Sequence, residues 1–171
     1  EEMGMSPDEH AKHLGLNQSK KEKLTEIKEM RNKVYSVLPL AAFSIFVMGW
    51  DIFAQFGWVK DMPEVWYEFF HHLLPIFATY TLVVVGKPYL LGVYRFFRYG
   101  KANMDTLIGI GTVTAFIYSF IVTAFEVVLA PYIDVTHSYY DVTIVVITFI
   151  AFGKYLEAQA KLKTGDAIEK L

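Results

Sequence analysis

Cysteine is absent from the 171 residues, so thiolate metal ligands, disulfides and cysteine nucleophiles drop out together. What remains for soft-metal chemistry is six Met and five His. Met3, Met5, His10 and His13 crowd into the N-terminal tail, where they could form a loose soft-metal site or stand as ordinary tail residues. His71 and His72 fall near the outer end of an apolar stretch, where interfacial packing accounts for them. Asp141 opens another apolar stretch. A carboxylate near a bilayer is costly and usually functional; the plain alternative is a boundary residue reaching to water. Lys87, Arg95, Arg98 and Lys101 fall within an arc of roughly 120° at about 100° per helical residue. Such a face steers an acidic partner or anchors to anionic lipid. No nucleotide-binding or nucleic-acid motif is present, and nucleic acid is not an expected partner.

The elements that carry these residues are set by hydropathy. Hydrophobic residues make up 54% of the chain and aromatics 16%. Four apolar stretches lie at roughly 34–56, 69–85, 107–125 and 142–153. About 20 helical residues cross the hydrocarbon of a bilayer. A soluble four-helix bundle would carry a polar stripe on each helix, yet Leu107–Phe125 and Val142–Gly153 contain no charge at all. Of the 16 Lys and Arg, only Lys60 falls in a segment facing away from the cytosol. The others precede the first stretch, separate the second from the third, or follow the fourth. Positive flanks resist translocation, so the expected topology has four spans with both termini cytosolic. The polar first 33 residues show no cleavable signal peptide.

The expected organisation follows. Residues 1–18 form a cytosolic tail. Residues 19–56 form an amphipathic lead-in and the first transmembrane helix, opened by a Ser19/Glu22 capping box. Gly57–Glu68 is an outer loop, with Trp50, Trp58, Trp66 and Tyr67 forming an aromatic belt. Residues 69–101 hold the second transmembrane helix, a kink at 86–88 and a basic amphipathic platform. Pro88 has no backbone donor and pushes Lys87 out of the helical region; Leu90, Val93, Phe96 and Phe97 mostly oppose the basic arc. Residues 103–130 hold the third transmembrane helix, with Asn103 as cap, Asp105 near the positive helix end, and Gly109 and Gly111 allowing close packing. Residues 139–171 hold the fourth transmembrane helix and a charged stalk. The fold class is all-α: a polytopic membrane protein whose kinked second helix continues as an interfacial amphipathic helix.

Two segments carry a more specific signal: GKPYLLGVYRFFRYGKANMDTLIGIGTVTAFIYS from Gly86, and YYDVTIVVITFIAFGKYLEAQAKLKTGDAIEKL at the C-terminal end. In order they resemble the heavy-metal (type IB) P-type ATPases, most closely the copper-exporting branch. That family shows a kinked helix, N-M-x-T-L-I-x-x-G-T, an acidic residue opening the next span, G-(K/R)-x-L-E and K-T-x-x-A-I-x-x-L. The resemblance implies two class-specific helices plus the first two helices of the pump core. It also implies that the actuator, the D-K-T-G aspartate, the nucleotide-binding domain and the Cys-Pro-Cys span lie beyond Leu171. On that reading the chain is an N-terminal membrane fragment that cannot hydrolyse ATP alone; ATP and Mg(2+) belong to the full-length translocase.

The resemblance further implies roles for single residues. Met104 and Glu157 match the family's cytosolic entry ligands, the thioether suiting Cu(I) as the transported ion. The bland alternatives are an interfacial apolar residue and a solvated helix charge. Asp141 matches the acidic residue of the exit route. Gly86 and Lys87 stand where the family often has two successive glycines, leaving the kink to Gly86 and Pro88, and with Arg95, Arg98 and Lys101 they would form a docking platform for a copper chaperone or the pump's own metal-binding domain. Expected partners are the lipid bilayer and the remaining pump domains, in the bacterial inner membrane. Other readings are a non-enzymatic membrane scaffold, separated by whether T-G-E and D-K-T-G follow Leu171, and a pump for Ag(+) or Zn(2+).

Overall fold

The computed structural model describes residues 20–133, 135 and 138–169. The tail candidates Met3, Met5, His10 and His13, the Ser19 cap and the end of the stalk lie outside the described residues. Among the described residues the architecture is all-helical. Helix α1 runs unbroken over Lys20–Gln55, 36 residues. At 1.5 Å per residue this is about 54 Å, well beyond the ~30 Å of a hydrocarbon core, so its N-terminal part projects as a lead-in. Val34, Val37, Ala41, Ser44 and Val47 recur at helical spacing as its buried stripe, which packs mainly on the last long helix.

Helix α2 covers Glu64–Val84, starting five residues before the expected position 69. Trp66 and Tyr67 therefore lie on a helix, not in the outer loop. The reason is local: Pro63, with φ −54°, precedes the helix and Glu64 supplies the acidic first turn. Helix α3 covers Lys87–Tyr99, and its axis is bent 71° from α2. The break falls at Val85–Gly86. The N–H of both residues donates to the Thr81 carbonyl, at 3.0 and 2.9 Å, and the Gly86 carbonyl accepts from Tyr89 and Leu90. Lys87 is thus the first helical residue of α3, contrary to its expected exclusion. Pro88 costs nothing there, because first-turn N–H groups have no helical acceptor. A Cβ at Gly86 would stand 2.5 Å from the Leu82 carbonyl oxygen, so the bend itself needs glycine.

Helix α3 ends at Gly100, left-handed at φ 69°, whose N–H closes on Phe96 O at 2.8 Å. Lys101 therefore lies past the helix, and the basic arc on α3 is Lys87, Arg95 and Arg98. Phe97 is 78% exposed and does not belong to the covered face.

Helix α4 spans Met104–Ala124, a short α5 spans Glu126–Leu129, and α6 runs continuously over Tyr140–Glu169. Two apolar clusters join α6 to α1, α2 and α3. Val34, Val37, Leu82, Val85, Tyr89, Ile147 and Tyr155 meet where α1, α2, α3 and α6 converge. Ala41, Leu74, Ala78, Tyr140 and Ile144 fill the other half. By length and composition, α1 and α4 are able to cross a membrane, and the bent pair α2–α3 makes a third span if taken as one. Phe46, Ile76, Ile117 and Phe149 are exposed on α1, α2, α4 and α6. Hydrocarbon accommodates that surface better than water.

Candidate functional site

The polar chemistry of the described residues concentrates where α3, α4 and α6 meet. Asn103 starts it. Its side chain accepts from Thr106 N–H at 2.8 Å, and its own N–H donates to Thr106 Oγ1 at 3.2 Å, forming a capping box. The Thr106 hydroxyl also lies within donating range of Asn103 Oδ1 (2.9 Å) and the Gly92 carbonyl (3.2 Å). That last bond is interhelical. The backbones touch there: a Cβ at Gly92 would meet Thr106 N at 2.9 Å. One turn further, a Cβ at Gly109 would meet Val93 Cγ2 at 2.5 Å and the Tyr89 carbonyl oxygen closer still. Gly109 is therefore a packing glycine as expected, whereas Gly111 faces open space and is not.

Asp105 is in the first turn of α4 and forms an ion pair with Lys154 of α6, both side chains being partly buried. The Lys154 Nζ stands 5.1 Å above the ring of buried Tyr89. These three residues lock the α3–α4 corner to α6. Sequence reasoning used Lys154 only as a topology charge and Asp105 only as a helix-end charge. The available signal was one acid and one base at the same expected depth on neighbouring spans.

The lock fixes where Met104 and Glu157 stand. Met104 is the first residue of α4, adjacent to Asp105, and is 64% exposed. Glu157 lies three residues beyond Lys154, about 4.5 Å along α6. Met104 lies about 1.5 Å beyond Asp105 in the same direction, because α4 and α6 run oppositely. Glu157 is exposed and paired with Lys161 at 2.7 Å. The hydrogen bond and charge of Lys161 hold its carboxyl below the ordinary range. A thioether and a carboxylate thus stand at neighbouring depths on adjacent helices, both exposed.

Asp141 lies at the opposite end of α6, in its first turn, and its Oδ1 accepts from Val142 N–H at 2.8 Å. It lines a cavity of about 630 Å³ with Asp51 and Met48 of α1 and His71 of α2. Spacing alone does not group these four, since they come from three separate helices. Among the described residues, no group of three or more His, Asp or Glu is arranged to hold a metal ion.

The chain is similar to several copper-exporting and cation-transporting ATPases. It is 36% identical over 150 residues to a copper-exporting P-type ATPase of Staphylococcus saprophyticus, covering 84% of this chain and 17% of the relative. It is 31% identical over 155 residues to one of Staphylococcus haemolyticus, covering 87% and 18%. Over 96 residues it is 38% identical to the cation-transporting ATPase HMA5 of Oryza sativa, covering 56% and 9%. The chain spans less than a fifth of the length of these curated relatives. No family model matches it, and no solved structure does.

Proposed function

We propose that the chain is the first membrane portion of an ATP-driven Cu(+) exporter of the P-type class. The observation that carries this reading is the similarity to copper-exporting P-type ATPases along more than four fifths of the chain. In this reading α1, the bent α2, α4 and the apolar part of α6 are four spans, with both termini cytosolic in a bacterial plasma membrane. Met104 and Glu157 receive Cu(+) at the inner surface. The soft thioether draws the ion, and the carboxylate supplies charge without binding it tightly. Asp141, in its cavity at the other end of α6, takes part in release. Gly86 sets the angle of α3, and Lys87, Arg95, Arg98 and Lys101 present a basic surface to a copper chaperone or to the pump's own metal-binding domain. The 30-residue α6 joins the fourth span to the stalk, through which the rest of the pump would couple ATP hydrolysis to movement.

The test is copper-stimulated ATP hydrolysis by the full-length pump bearing Met104→Ala or Glu157→Ala. Each is expected to lower it by at least about tenfold, the scale found even for residues that only support a ligand. Unchanged activity in both variants refutes the entry assignment.

A further inference from the structure

A second cavity, of about 440 Å³, opens between the N-terminal half of α1 and one face of α3. On α1 it is lined at helical spacing by Glu26, Glu29, Met30, Lys33 and Val34. On α3 it is lined by Lys87, Leu91 and Arg95, at i, i+4 and i+8, so two cations flank a leucine that is 44% exposed. Val84 and Ala151 complete an apolar floor. Lys154 also reaches the cavity, but Asp105 neutralises it. The cations that face the opening are therefore Lys33, Lys87 and Arg95. Glu29 and Glu26 lie about 6 and 10 Å further along α1, on its projecting lead-in.

We propose that this groove binds an anionic phospholipid of the inner leaflet, its phosphodiester held by Lys33, Lys87 and Arg95. Three features favour a lipid over a soluble acidic peptide. The cations stand at the level of the α2–α3 bend, where apolar helix gives way to amphipathic helix. The floor beneath them is apolar, and Val83, the chain neighbour of its Val84, is exposed on α2. Of the lining carboxylates Asp105 is paired with Lys154, while Glu26 and Glu29 lie on the water side, where a hydroxylated headgroup such as glycerol accepts and donates hydrogen bonds and an acidic peptide entering the groove would be repelled. Basic pockets between membrane helices bind such headgroups through charge close to the surface. This site is independent of which ion the chain serves.

The test is native mass spectrometry of the chain in neutral detergent with phosphatidylglycerol, phosphatidylcholine or glycerol 3-phosphate added separately. Phosphatidylglycerol should be retained preferentially and more weakly as salt rises. Lys33→Gln, Lys87→Gln and Arg95→Gln should each weaken retention by about fivefold, the equivalent of ~1 kcal/mol per surface cation. Arg98→Gln with Lys101→Gln, outside the groove, should leave it unchanged. The proposal is overturned if phosphatidylcholine is retained equally, if glycerol 3-phosphate displaces the lipid, or if the control pair loses as much as the groove variants. Salt-independent retention by the unmodified chain overturns it without any variant, and so does displacement by an acidic peptide.

Discussion

Gly109→Ala tests whether the α3–α4 crossing is held by backbone contact. The added Cβ would stand 2.5 Å from Val93 Cγ2 and closer to the Tyr89 carbonyl oxygen. A valine methyl can rotate away; a backbone carbonyl within a helix cannot. Relief requires α3 to move off α4 by about 1 Å, given normal carbon–oxygen contacts near 3.5 Å. Overpacking of this kind costs about 1–3 kcal/mol. For a chain of this length that is a fall in Tm of about 2 to 12 °C. Gly111→Ala is the internal control, since nothing lies within 4 Å of its Cβ. It introduces a better helix former by up to about 1 kcal/mol, so its Tm should hold or rise. The assay is thermal unfolding of both variants in one detergent, followed by circular dichroism. Equal Tm values for the two variants would refute the crossing described here.

Three other outcomes are expected. Asp105→Asn leaves Lys154 partly buried and uncompensated, costing about 1 kcal/mol, between exposed and fully buried pairs; a double-mutant cycle with Lys154→Met should recover a coupling of that size. Asn103→Ala removes the α4 cap and should destabilise by about 1 kcal/mol in chemical unfolding, while Asn103→Asp should preserve most of it. Lys161→Gln should raise the Glu157 pKa toward the ordinary carboxylate range, seen by NMR titration of the side chain. Because the folded-state value is lowered, the pair's contribution is present above the ordinary carboxylate range and lost as pH falls through the lowered value.

Much of the fold was legible because hydropathy and punctuation agree. Asn103 before an uncharged run marks the start of α4, and Gly86 with Pro88 marks the α2–α3 bend. The boundaries that shifted depend on effects outside the pattern. Trp66 and Tyr67 read as a headgroup belt and therefore as loop, yet Pro63 and Glu64 start a helix ahead of them. Lys101 read as part of a basic helix, yet Gly100 takes a positive φ and ends it two residues after Arg98. A four-residue arc drawn by periodicity alone could not include that stop. At the candidate site, Met104, Glu157 and Asp141 were found through resemblance. The Asp105–Lys154–Tyr89 lock was not, because it joins residues from three helices far apart in sequence.

The residues that attach α4 explain why apolar runs conceal so much. Between helices in hydrocarbon there is no hydrophobic driving force, so close backbone contact and hydrogen bonds must supply attachment. Helix α4 meets those terms on one stripe. Thr106, Gly109, Thr112, Ser119 and Val122 are its buried residues. Thr143 Oγ1 donates to the Thr112 carbonyl at 3.2 Å, and Ser119 Oγ accepts from Tyr139 N–H at 2.6 Å. The larger apolar residues Leu107, Ile117, Phe120 and Ile121 point away from the bundle. Small and hydroxylated residues therefore mark the most deeply packed positions, with Ile108, Val113 and Phe116 packing beside them. Read that way, T-x-x-G-x-x-T from Thr106 to Thr112 already names the contact face of α4, which meets α3 at Thr106 and Gly109 and α6 at Thr112.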